Sequence, residues 1–316
     1  MKSEKKFNKK RILIIILAVL VFLIVSSMVA TKIIYDSIFV RYDAEPQPLD
    51  GRLSALVAGR QEMTYPCGET QLAGYLYRSS ADNAKDTLIV VAPGFHAEAD
   101  DYLWQIQSLV EQGWSVFAFD PTGSGASGGE SYVGFSQELL DLDETLSYIE
   151  ENARFGYENI ALLGHSRGGY AVCCALEYEY DIAAVVSVSG VNSAMEGIMG
   201  YSTSAIGPMA YGNYGFLWLY QAMLFGTETV NVCADEAIDQ GEVPVLVVHG
   251  AADESFPMDR NSVISHREEI EADTVEYLIC SEAERDGHTS LLFAPDGTAN
   301  QALMTQIHSF LERSIG

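Results

Sequence analysis

The sequence predicts an α/β protein: a mainly parallel β-sheet with helices on both faces and an inserted cap, preceded by one transmembrane helix. Three observations carry that expectation. From Thr87 onward, short continuous apolar runs alternate with longer stretches of helical periodicity, as in strands buried on both faces. Residues 190–241 break the alternation with an interval of about fifty positions, far longer than an ordinary connection. Ahead of both lies the run Ile12 to Thr31, uncharged, strongly apolar and long enough to span a bilayer.

At the N-terminus, residues 1–11 (MKSEKKFNKKR) hold five lysines and one arginine, and only Lys32 stands just after the apolar run. That asymmetry predicts a signal-anchor over 12–31, single-pass in the cell membrane, with 1–11 in the cytoplasm and the remainder outside it. A cleaved signal peptide is the alternative, although Met28, two places before Ala30, fits an A-x-A site poorly. RYDAEPQPLDGR is polar and proline-bearing, so 32–52 is expected to form a stalk, with the folded domain over 53–316.

Within the domain, EMTYPCGETQLAGYLYRSS alternates apolar and polar positions around a Gly-Glu turn, as an antiparallel hairpin does. Strands follow at 87–92, 115–120, 159–164, 183–188, 244–249 and 275–280. Helices are expected near 100–112, 135–153, 168–178, 261–271 and 298–314. In the last of these, Leu303, Ile307, Phe310 and Leu311 recur at helical spacing and form a core-facing stripe. The 190–241 interval is rich in Gly, Met, Tyr and Phe. It reads as a helical cap over a pocket or as a second membrane-contacting surface, and its glycines and Pro208 favour the cap.

Charge narrows the partners. Residues 1–32 contain seven of the 18 basic and one of the 44 acidic residues, so the rest carries a formal charge of −32. Such a surface repels polyanions and excludes nucleic acid as a partner. The five cysteines, Cys67, Cys173, Cys174, Cys233 and Cys280, show no metal-binding spacing and no disulfide framework. Cys173, Cys174 and Cys280 read as core-filling thiols.

The chemistry centres on NIALLGHSRGGYAV, where a strand, G-x-S-x-G and a helix follow one another as in a nucleophile elbow. Gly164 and Gly168 leave room for two backbones to approach, and Ser166 is held out at a helix N-terminus that favours developing negative charge. A serine needs a base and a group to orient that base. Of the six histidines, only His288, in RDGHTSLL, falls in a loop just after the last strand. His266 and His308 fall on expected helices and read as solvated, and His165 is locked in the elbow.

Asp253 follows the strand of VPVLVVHGAADESFPM and is the acid of choice; Glu254 is its nearest rival, and Asp286 lies too close to His288. An oxyanion requires preorganised donors. The backbone N–H of Arg167 is one candidate, so Arg167→Ala is expected to spare turnover. The N–H of Phe95, after the Pro93-Gly94 turn, is the other, with His96 as an alternative donor or as part of the substrate mouth.

These pieces resemble the α/β-hydrolase superfamily from about residue 60 to the end. The similarity is greatest to its branch of small esterases, monoglyceride lipases and serine aminopeptidases. GETQLAGYLY, APGFHA, FDPTGSGASGGES, GHSRGG, VHGAADESFP and DGHTS occur in the family's order. Two departures are local: Pro93-Gly94 replaces a frequent His-Gly, and Phe256 rather than valine precedes Pro257. DPTGSGASGG lacks the Gly-Lys-Ser/Thr ending of a phosphate loop and reads as a family turn.

The resemblance implies an eight-stranded sheet, a Ser-His-Asp triad and no cofactor. The expected activity is ester cleavage through an acyl-enzyme on a small-molecule acyl substrate. Peptide or amide cleavage and acyl transfer are the alternatives within the fold, and a non-catalytic binding protein is the alternative outside it.

Overall fold

The computed structural model describes residues 9–44, 49–152, 155–283 and 285–315. Residues 1–8 of the basic segment and 45–48 of the expected stalk lie outside the described residues. The domain is built on an eight-stranded sheet. Its strands are β1 (Gln61–Cys67), β2 (Thr70–Tyr77), β3 (Thr87–Ala92), β4 (Ser115–Asp120), β5 (Asn159–His165), β6 (Ile182–Val188), β7 (Val245–Gly250) and β8 (Val275–Cys280).

The spatial order is β1-β2-β4-β3-β5-β6-β7-β8. β1 and β2 form the expected hairpin, from Gln61 opposite Leu76 to Cys67 opposite Thr70, and β2 runs antiparallel to β4. Every later pairing is parallel, β3 lying between β4 and β5. β3 and β4 are buried throughout, which is why their sequences are continuous apolar runs rather than alternating ones. β8 is an edge strand, so Cys280 is half-buried and packs against the margin of the core, while Cys173 and Cys174 are fully buried.

Helices cover both faces. On one face α4 (Phe135–Glu151) and α5 (Arg167–Cys174) pack their apolar sides over Leu88, Val90, Phe117 and Leu162. On the other, α3 (Leu103–Glu111) and the last helix, α10 (Gln301–Ile315), cover Ile89, Val91, Val116 and Leu163. The anticipated stripe of α10, Leu303, Ile307, Phe310 and Leu311, is buried together with Met304. The helix expected over 261–271 is only one 3-10 turn, Val263–His266. Ser262 and Ser265 cap it reciprocally, and in the charged stretch beyond it Ile270 and the small Ala272 are the apolar residues packed against the core.

Between β6 and β7 the inserted segment folds as α6 (Ala194–Ile206), a 3-10 turn (Gly207–Asn213), α7 (Tyr214–Phe225), α8 (Thr227–Val230) and α9 (Ala234–Asp239). Gly207 at φ +65° and Gly226 at φ +82° end its two longer helices.

The N-terminal helix, α1, runs from Lys9 to Ile38 and is long and apolar enough to cross a membrane. It outlasts the uncharged run, because Tyr35 and the following Phe39 are buried in the domain core. The segment expected to be a free stalk is therefore seated on the domain. Val40 and Tyr42 bridge to Ser131 and Ser124, and Arg41 donates to the carbonyls of Gly125, Ser127 and Gly129. A short helix, α2 (Gly51–Gly59), follows, capped by the Asp50 carboxylate accepting from the Arg52 and Leu53 N–H groups.

Candidate active site

The C-terminal ends of β3, β5, β7 and β8 converge at one edge of the sheet, where an open α/β sheet leaves room for a ligand. β5 delivers Ser166 at φ +57°, ψ −114°, a conformation a non-glycine residue holds only when its surroundings enforce it. The enforcement is steric and hydrogen-bonded. A Cβ on Gly164 would collide with the Gly168 carbonyl oxygen, and one on Gly168 would collide with that of Ala92. The Ser166 N–H donates to Val188 at 2.8 Å.

Ser166, His288 and Asp253 form one hydrogen-bonded chain. His288 Nδ1 lies 2.7 Å from Asp253 Oδ2, and His288 Nε2 lies 2.8 Å from Ser166 Oγ. An ionised Asp253 only accepts, so Nδ1 carries the proton and Nε2 is left to accept the Ser166 hydroxyl. Burial opposes the charge on Asp253, but the hydrogen bonds it accepts from His288 and the Phe256 N–H hold its carboxyl below the usual range. The other oxygen, Oδ1, accepts from the Ser255 and Phe256 N–H groups at 2.9 Å each. Glu254 points into solvent, and Asp286 is engaged through its carbonyl, which accepts from Ala252.

Phe95 sits at the turn after β3, its ring against Tyr132, Phe135 and Tyr201. The His96 ring stacks on Phe95 and Tyr42. It caps no helix, since Glu98 provides the capping box of the turn that leads into α3. A cavity of about 260 Å³ lies alongside, lined by Leu53, Phe95, His96, Trp104, Leu292 and Phe293 among others. Ser166 itself is only 3% exposed.

Four contacts escaped the sequence reading. His165 joins three parts of the site: its Nδ1 meets the Tyr102 hydroxyl at 2.9 Å, that hydroxyl accepts from the Gly94 N–H, and His165 Nε2 donates to the His288 carbonyl at 3.0 Å. Burial and the nearby His288 lower the His165 pKa to about 3, so it is a neutral strut. His249 Nε2 donates to the Phe256 carbonyl at 2.8 Å and steadies the Asp253 loop. Both histidines adjoin a motif glycine, which is the only signal they carry in the chain.

Arg167 is the larger surprise. Its side chain is fully buried, with its guanidinium 2.5 Å from Glu138 Oε2 and over the Tyr132 ring at 4.5 Å. Burial pushes the Glu138 carboxyl above its usual range, and Arg167 pulls it back.

His308 is likewise no solvated helix residue, since its Nδ1 accepts from Trp114 Nε1 at 2.9 Å. His266 stands among carboxylates, 3.1 Å from Asp235, 2.8 Å from Glu269 and 3.3 Å from Glu196. Asp235, His266 and Glu269 present ligand atoms within 4.8 Å of one another, on α9, the 263–266 turn and the residues just after it rather than on the loops bearing the triad.

The hydrogen bonds to Asp235 and Glu196, with Glu269 adding to them, raise the His266 pKa from 6.5 to about 11. A raised native pKa stabilises fully below the unfolded value and progressively less as pH climbs to the folded one. His266→Gln should therefore lower the melting temperature most at pH 6 and much less at pH 10. A deficit that stayed constant or grew with pH would contradict the ion cluster.

Fold and site together define a class. The chain has the α/β-hydrolase fold. A family model described as serine aminopeptidase, S33 matches residues 83–203, a stretch holding Ser166 but neither Asp253 nor His288. Over 121 residues the chain is 28% identical to a polyketide transferase of Penicillium sp. and 31% identical to a proline iminopeptidase of Saccharolobus solfataricus. Each alignment covers 37% of this chain, and the chain spans about two fifths of these relatives, 40% and 37%. Among solved structures, an esterase of Pyrococcus furiosus superposes with a TM-score of 0.63 at 18% identity, covering 88% of this chain and 98% of its own.

Proposed function

We propose that this chain is a membrane-anchored serine hydrolase that cleaves carboxylic esters through an acyl-enzyme. The observation that carries the proposal is the unbroken hydrogen-bond chain from Ser166 through His288 to Asp253. Ser166 Oγ attacks the ester carbonyl while its proton passes to His288 Nε2. Asp253 holds the imidazole and stabilises the imidazolium. The backbone N–H groups of Phe95 and Arg167 receive the oxyanion. Collapse of the tetrahedral intermediate expels the alcohol, which takes the proton from His288. Water, deprotonated by the same histidine, then frees the acid and restores Ser166.

Phe95 and Tyr201 stand beside the site and offer apolar surface to an acyl group, with the buried Phe256 ring behind Tyr201 and His288. Deep burial of Ser166 favours acyl transfer as a second reading, because excluding water lets another acceptor compete for the acyl-enzyme. On this proposal α1 is the anchor, with the N-terminus cytoplasmic and the catalytic domain outside.

The full chain, assayed on nitrophenyl esters of increasing acyl length beside aminoacyl anilides, should turn over the esters and leave the anilides intact. Faster cleavage of the anilides would reassign the protein to peptide chemistry.

A further inference from the structure

The end of α1 leans on the cap, and hydrogen bonds fix the cap's height along the helix. Asn213 Nδ2 donates to Thr31 Oγ1 at 3.0 Å, and the Tyr220 hydroxyl donates to Asp36 at 2.9 Å. Thr31 closes the uncharged run that begins at Ile12, and its twenty residues at about 1.5 Å each match a hydrocarbon core of about 30 Å. Met28, one turn earlier, also packs against the domain. The cap turn ending at Asn213 thus stands at the hydrocarbon boundary, with Tyr220 a step toward water.

That turn presents apolar side chains outward. Met209 is 78% exposed and Tyr211 64%, with Ile206 and Tyr214 beside them in sequence. Leu219, Met223 and Leu224 continue the exposed set on α7, whereas Met195, Ile198 and Met199 fill the core beneath α6. From Gly197 to Thr227 no charged residue occurs, in a chain whose formal charge is −26. An uncharged, outward-facing surface is anomalous on so acidic a protein.

We infer, on the reading that α1 crosses the membrane, that the cap docks on the same bilayer. The turn Gly207–Asn213 and the outer face of α7 sit at the boundary between lipid headgroups and acyl chains. Lipid is the occupant because the surface lies level with the end of the apolar run, where tyrosines and a shallow apolar face suit the interface. A cavity of about 360 Å³ joins Gly207, Pro208 and Tyr211 to Glu254 and Ser255, the two residues that follow Asp253. An acyl substrate leaving the bilayer under the docked turn therefore meets the protein beside its catalytic acid.

The test uses the full chain in phosphatidylcholine vesicles, with the half-buried Cys233 and Cys280 changed to serine. An environment-sensitive fluorophore is attached through Leu20→Cys, Met209→Cys or Thr305→Cys, and lipids with nitroxides both high and low on their acyl chains serve as quenchers. The labels at 20 and 209 should lose most of their emission, and the label at 305, on α10, should keep it. Loss at 20 without loss at 209 overturns the docking while leaving the anchor standing. A blue-shifted but unquenched label at 209 means that a second copy covers the surface, which overturns it too. Quenching at neither 20 nor 209 removes the anchor and the docking with it.

Discussion

Ser166→Ala is expected to remove covalent labelling by a fluorophosphonate probe and to lower ester turnover by about 10⁴-fold or more. The size follows from the geometry. Without Oγ, His288 Nε2 loses the partner it holds at 2.8 Å, and the ester carbonyl meets only the oxyanion donors. Those donors sustain a residual rate over water, so the variant should not fall to the uncatalysed level. The fold should survive, because the Ser166 backbone is set by Gly164, Gly168 and the bond to Val188, none of which involves the hydroxyl. Equal labelling of variant and wild type, measured on protein with matched circular dichroism, would rule out the proposed mechanism.

Arg167→Ala should damage the protein through stability instead of chemistry. Removing the guanidinium leaves Glu138 buried without its countercharge, a loss of about 3–5 kcal/mol for one partner of a buried pair. In a domain of this size the melting temperature should drop by about 10 °C. Replacing both partners with apolar residues, Arg167→Met with Glu138→Leu, should restore most of it, since the desolvation cost then disappears from both sides. A single variant with an unchanged melting temperature would show that the pair contributes nothing. The expectation that Arg167→Ala spares turnover considered the backbone N–H alone and said nothing of stability, because nothing in the local sequence placed Glu138 beside the side chain.

The contrast between those residues shows how much was legible. That Ser166, Asp253 and His288 lie together could be anticipated because each follows a predicted strand, directly or through a short loop, and strand ends of a parallel sheet lie at a common edge. Choosing among the histidines needed only chain order. The strut through Tyr102, His165 and the His288 carbonyl was not legible, because its members lie 63 and 123 positions apart and the elbow motif around His165 says nothing of its partners. The seating of residues 39–44 was missed for a related reason. RYDAEPQPLDGR has the composition of a linker, yet Arg41 fills a ring of three carbonyls that only the folded glycine-rich turn presents.

The sequence by itself determined the sheet, the order of its elements, the elbow and the presence of a long apolar helix, because periodicity and glycine placement are local properties of the chain. Tertiary structure alone decided which buried charges meet, as with Arg167 and Glu138, and which apolar residues of the cap turn inward. It also set the cap against the end of α1 through Asn213 and Thr31, residues 182 positions apart. Burial and distance belong to packed surfaces rather than to any window of sequence, so contacts of this kind exist only once the chain has folded.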